Sequence, residues 1–174
     1  KSARALKVLL KLEPPITSGQ FEVESLPALL GTDSPVILEV GCNDGTETNR
    51  FLSMFGSGAR VYAFEPDPRA IKRFRERVTD PRAQLFEMGI ADRQGTTEVY
   101  VSDGVPTAPG YEDLRPEGWD LSGSIRRPKE HIKEHPWCRF DQKITIQTQS
   151  LDNWCRQQQI KHIDFIWVDV QGAE

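Results

Sequence analysis

Glu39, Gly41, Asn43, Gly45 and Glu65 are the residues whose types and spacing suggest chemistry in this sequence. In VILEVGCNDGT, residues 36–46, a short apolar run breaks into a glycine turn, and a helix-like segment begins at Thr46. A doubly wound α/β sheet presents its ligand at such a turn, at the carboxyl end of a strand. Gly41 and Gly45 can take backbone angles closed to other residues, which lets the turn press against a bound molecule. The charge of the turn selects the ligand. A dinucleotide brings a pyrophosphate, which favours a neutral or basic helix N-terminus, and Glu39, Asp44 and Glu47 would repel it. The dinucleotide fingerprint G-x-G-x-x-G also fails, because Asn43 stands where its second glycine belongs. An acidic crook suits a cationic ligand, so Glu39 is expected to face the cleft with open space beside Gly41.

Glu65 closes a second apolar run, RVYAF, and stands 20 residues after Gly45. That is the offset at which an acidic residue reaches a ribose in such folds. Near the other end of the chain, IDFIWVDV runs into Asp169, Gln171, Gly172 and Glu174. Asp169, at a strand end, is read as a general base or as a ligand to a divalent ion, so a metal is left open and no residue is assigned to one. The spacing of His131, His135 and Cys138 invites a zinc reading, which is set aside because no fourth ligand is evident and Pro136 interrupts the local geometry. A histidine of this stretch acting as base is the alternative to Asp169.

These groups must be positioned by a chain of 174 residues, long enough for one domain with a sizeable core. The net charge of −4 argues against a nucleic-acid surface. Three cysteines without a C-x-x-C pair give no disulfide framework and suit a reducing compartment. No apolar run approaches the roughly 20 residues that span a bilayer, and Val8–Leu10 is too short for a signal-peptide core. The protein is therefore read as soluble and cytoplasmic, with no membrane or nucleic-acid partner. Self-association into a homo-oligomer is left open.

Leucines at helical spacing predict a helix over residues 2–12, ended by Pro14 and Pro15, and a second over 24–30 closed by Gly31. Strands are expected over 36–40, 60–64, 84–91, 143–148 and 163–170, with a further strand through Thr97, Val99 and Val101. Helices are expected over 46–55, from Asp67-Pro68 onward, and from Ser150 over Leu151, Trp154 and Cys155. Lys72, Arg73, Arg75 and Arg77 are read as a solvated outer face. Residues 102–142 hold five prolines, four glycines and two tryptophans with little periodicity, and read as a substrate lid with one helical turn over 130–135.

The acid-x-Gly-x-x-x-Gly arrangement of Glu39, Gly41 and Gly45 resembles the first motif of class I S-adenosylmethionine-dependent methyltransferases. VILEVGCNDG, YAFEPDP, GIAD, SLDNW and above all IDFIWVDVQGAE are similar to FkbM-type members of that class. The resemblance covers residues 36–101 and 143–174, and it implies a Rossmann-like, mostly parallel α/β sheet, here truncated after the fourth core strand. It divides the chain into an N-terminal helical cap (1–35) and the front portion of a methyltransferase domain (36–174) with its lid at 102–142. It implies S-adenosyl-L-methionine as cofactor and methyl transfer to a hydroxyl of a sugar, polyketide or other small metabolite. Carried over, Glu39, Gly41, Asn43 and Gly45 would hold the methionine end, Glu65 the ribose, and Ala91 and Asp92 the adenine side, while Asp169 and Glu174 would stand at the reaction centre. Gln171 departs from the pattern, which usually has glutamate there. The competing expectation is a non-catalytic module that keeps the fold to bind a cofactor or partner; a nicotinamide-dependent oxidoreductase is disfavoured by Asn43 and the acidic turn.

Overall fold

The computed structural model describes residues 23–106, 118–171 and 173. The helix expected over 2–12 lies outside them. Of the proposed cap, they include a 3-10 turn at Val23–Ser25 and helix α1, Leu26–Leu30. Helix α1 closes at Gly31, whose left-handed φ of 62° lets its N–H return to the Pro27 carbonyl.

Four strands form a parallel sheet: β1 (Val36–Val40), β2 (Arg60–Phe64), β3 (Ala83–Phe86) and β7 (Phe165–Val168), in the order β3-β2-β1-β7. The register pairs Val40 with Phe64 and with Val168, and Phe64 with Phe86. All four carboxyl ends therefore lie on one ledge, where loops can carry side chains to a common point. Helix α2 (Thr46–Met54) joins β1 to β2, and α3 (Pro68–Arg77) joins β2 to β3. Asp67 caps α3 by accepting from the Arg69 N–H at 2.9 Å, ahead of Pro68, as its sequence predicts. Leu26, Phe51 and Leu52 pack on Ile37 and Val61 on one face of the sheet. Trp154 of α5 (Leu151–Gln157) packs on Leu38, Val40 and Phe64 on the other. Helices on both faces explain why β1 is buried at Ile37, Leu38, Glu39 and Val40 alike.

A second sheet stands apart, in the order β4-β6-β5, from β4 (Gly89–Ile90), β5 (Gly95–Asp103) and β6 (Arg139–Gln149). Strands β5 and β6 pair antiparallel from Gly95↔Thr148 to Asp103↔Arg139. This corrects the single strand expected over 84–91. The chain turns at Met88, whose N–H bonds back to Phe86, and crosses to the other sheet. Gly89 leaves room there for the Ile146 side chain, which an added Cβ would meet at 2.8 Å. The lid boundaries also shrink, because residues 102 and 103 belong to β5 and 139–142 to β6. The helical turn expected within the excursion is α4 (Glu130–Glu134), and a bridge that the sequence did not suggest joins Ser124 to Tyr100. Among the described residues β7 has a strand neighbour on one side only, and its Ile166 and Val168 are exposed.

Candidate functional site

The turn after β1 is fixed by its neighbours. The Gly41 and Cys42 N–H groups both donate to the Phe64 carbonyl, at 2.9 and 3.1 Å, so the end of β1 is clipped to the end of β2. Gly41, Asn43 and Gly45 all have positive φ, of 87°, 44° and 78°. The reason for the glycines differs from the one expected. A Cβ on Gly41 would lie 2.0 Å from the backbone oxygen of Asp169, and one on Gly45 would meet the Val78 and Phe74 side chains. Gly41 thus admits the end of β7, and Gly45 admits α3. The space beside Gly41 is filled by the protein's own backbone.

Glu39 does not face the cleft. Its carboxyl is 1% exposed and accepts from the Thr48 hydroxyl of α2 at 2.5 Å. Burial, partly opposed by that hydrogen bond, pushes its pKa up to about 8. Successive strand residues point to opposite faces, and Glu39 shares with Ile37 the face that α2 covers. The acidic crook in its expected form is therefore absent. Glu39 braces α2 beneath the turn.

Glu65 does reach the site. It is buried, and its two oxygens accept one N–H each, Oε2 from Asn43 and Oε1 from Asp67, both at 2.9 Å. Burial outweighs these bonds and raises its pKa to about 7. Beside it lies an element that sequence reasoning missed. Arg73 of α3 forms an ion pair with Asp120 of the excursion, whose side chain is 1% exposed, and the Asp120 carbonyl lies 3.5 Å from Asn43 Nδ2. Arg73 had been grouped with a solvated face. In the structure Arg73, Arg75 and Arg77 meet Asp120, Glu87 and Asp44. Helical spacing could place Arg73 and Arg77 on one side of α3 and Arg75 on another, but could not name carboxylates so distant in sequence.

Segment 119–125 lies across the ledge as a strap. The Ser122 N–H donates to Ser102 Oγ at 3.0 Å, the Trp119 indole donates to Ser122 Oγ at 2.9 Å, and Ser124 Oγ donates to the Val170 carbonyl at 3.5 Å. Beneath it is a cleft of about 360 Å³. Gly41, Asn43, Glu65, Ala91, Asp92 and Asp169 all line this cleft, so six of the positions expected to act together are brought to one place. Ile90, Val99, Val101, Ile144 and Ile146 give it an apolar side. Glu39 and Gly45 are not on its wall, and Glu174 lies outside the described residues. Asp169 is exposed to the cleft and accepts from Gln171 Nε2 at 2.6 Å. A glutamate at 171 could not donate that bond when ionised. His131 and His135 meet at a tilt, off the cleft wall, with edge contacts to Phe140 and Trp137 respectively, and no group of three or more side chains that could hold a metal ion occurs among the described residues.

Over 148 residues the chain is 46% identical to a protein of Sinorhizobium fredii named 2-O-methyltransferase NoeI, covering 84% of this chain. The chain spans 57% of the length of that relative. Among solved structures, a putative rRNA-methylase from Clostridium thermocellum aligns at 20% identity with a TM-score of 0.36, covering 44% of this chain and 43% of the other. A putative S-adenosylmethionine-dependent methyltransferase from Listeria monocytogenes aligns at 12% identity with a TM-score of 0.32, covering 78% of this chain and 82% of the other. Superpositions at these scores carry no weight here. The sequence pattern of the Methyltransferase FkbM domain matches residues 39–174. With the glycine turn, Glu65 and Asp169 all falling inside that match, the chain belongs to the FkbM methyltransferase family.

Proposed function

We propose that the cleft binds S-adenosyl-L-methionine and that the protein transfers its methyl group to a hydroxyl of a small acceptor such as a sugar or polyketide. The observation that carries the reading is Glu65. An ionised carboxylate has about four lone-pair sites, and the N–H groups of Asn43 and Asp67 take one on each oxygen. One site per oxygen remains, which is what the two hydroxyls of a ribose require. The rest of the lining fits the same group. Ile90 and Ala91 offer an apolar wall for adenine, with Asp92 as acceptor for its amino group. The backbone of Gly41 and Asn43 would border the methionine end, while Glu39 and Gly45 support the turn from beneath. Asp67, Asp92 and Asp120 on the wall are ion-paired, while Glu65 and Asp169 give it acidic character that suits a cationic ligand even without Glu39.

When bound, the donor supplies a methyl group on a cationic sulfur, which departs as a neutral thioether. Alignment of the two reactants contributes most to such a transfer, and the strap excludes water from one side of it. Asp169 takes the acceptor hydroxyl's proton as the new carbon–oxygen bond forms, and the Gln171 amide holds the carboxylate in its accepting orientation. The name of the Sinorhizobium relative supports a hydroxyl acceptor.

Calorimetry with S-adenosylhomocysteine and with NAD, followed by labelled-methyl transfer to a panel of sugars and polyketide alcohols, tests the proposal. Binding of the first ligand but not of NAD, with label in an acceptor, is the expected result. Binding without transfer to any acceptor would favour a non-catalytic cofactor-binding module, and absence of binding would overturn the reading.

A further inference from the structure

Charge is paired almost everywhere near the cleft. Arg69 meets Asp67, Arg73 meets Asp120 and Arg77 meets Asp44, while Arg93, Arg139 and Lys143 meet Asp92, Asp103 and Glu98. Arg126, Arg127 and Lys129 differ. All three are exposed, and among the described residues none of them has a carboxylate partner. They follow directly on Ser124 and Ile125, which line the cleft. Ser124 is held in place at this point. Its backbone bridges to Tyr100, its hydroxyl donates to the Val170 carbonyl at 3.5 Å, and its oxygen accepts from the Arg126 N–H at 3.2 Å. Consecutive Cα atoms are about 3.8 Å apart, so the Arg126 Cα lies within about 7.6 Å of that of Ser124. The basic run therefore begins at the mouth, close to the loop that carries Asp169.

Asp67, Asp92 and Asp120 on the cleft wall are ion-paired, which leaves Glu65 and Asp169 as the interior acids. The three cations are not on that wall; they begin one residue after Ile125, which is on it. An acceptor bearing an anionic group would be repelled from the interior and retained at the rim, which leaves a hydroxyl elsewhere on the molecule to turn toward Asp169. Arginine forks match phosphate oxygens two at a time, and Pro128 within the run limits the backbone freedom that binding must remove.

We infer that Arg126, Arg127 and Lys129 form the acceptor-side recognition site for a phosphate ester or diphosphate, so that the acceptor class is a phosphorylated, hydroxyl-bearing molecule such as a sugar phosphate. The inference rests on the proposed methyl-donor reading of the cleft and adds the charge of the second substrate to it.

Inorganic pyrophosphate is the probe, titrated by calorimetry at low ionic strength into the wild-type chain, into the triple variant Arg126→Gln, Arg127→Gln, Lys129→Gln, and into a control, Arg156→Gln, Lys161→Gln. The two control cations are exposed, unpaired among the described residues and, unlike the basic run, do not adjoin a cleft-lining residue in sequence. Wild type and control should bind pyrophosphate alike, and the triple variant at least about tenfold more weakly, as expected when charge-assisted contacts are lost. S-adenosylhomocysteine affinity should be equal in all three, which also shows that the variants are folded. Equal pyrophosphate binding by the triple variant, equal weakening in the control, or no binding by wild type would overturn the inference while leaving the methyl-donor reading intact. Failure of S-adenosylhomocysteine to bind wild type would remove that reading, and the inference with it.

Discussion

Two buried glutamates with raised pKa values have different consequences. Glu39 sits at about 8 in the folded protein against an ordinary value of 4.5. Between those values the native state keeps a proton that the unfolded chain has released, so this group's contribution to stability falls as pH rises from about 4.5 to about 8. Glu39→Gln should flatten that decline, which urea midpoints at several pH values will reveal. Glu65, at about 7, is at the ligand site. Protonation below that pH converts one acceptor position into a donor, so S-adenosylhomocysteine should bind more weakly as the pH is lowered through about 7, and Glu65→Gln should remove the dependence. Asp169→Asn should lower turnover by about 100-fold or more, the range of a general base, with the homocysteine ligand bound as tightly as before. Unequal effects on the two measurements are what distinguish a base from a binding residue.

At the scale of elements, the glycine turn is a packing device as much as a ligand loop. Gly41→Ala drives a Cβ into the Asp169 carbonyl from a left-handed backbone, and should cost about 3 kcal/mol or more. Gly45→Ala meets side chains, which can shift, and should cost less; chemical denaturation ranks the two. Trp154 makes edge contacts with Tyr62, Phe64 and Phe86 on the opposite face, so Trp154→Ala should lose about 3–5 kcal/mol. The elements around this turn were legible in the sequence because their signals are local: a buried apolar run, a glycine break, and an Asp-Pro cap on α3. The third strand was misread because its apolar pattern continues through Met88 while the chain changes sheets. The pairing of Gly89 with Thr148 and of Ile90 with Gln149 records that crossing, and pairing is not a local property.

Across the whole molecule the strap is joined to α3 by a contact between Arg73 and Asp120, and to the turn by Asn43, residues far apart in the chain. Burial of Asp120 makes the loss of one partner expensive, about 3–5 kcal/mol, and the strap is the part free to respond. Asp120→Asn should therefore expose segment 118–125 to limited proteolysis and weaken S-adenosylhomocysteine binding, with less effect on the melting of the parallel sheet. The same distance explains what the sequence could not supply. The position of Asp169 and Glu65 on one ledge follows from a parallel order that strand signals imply, but a proline-rich excursion has no period from which a docked strap could be read. One consequence concerns how such proteins diversify. The excursion leaves at Asp103 and returns at Arg139, two residues paired across the same hairpin and outside the parallel layer. A loop with both feet on one rung can be exchanged for another without moving the ledge, so a graft from a relative that keeps an aspartate opposite Arg73 should transplant acceptor preference while the host keeps its own donor affinity.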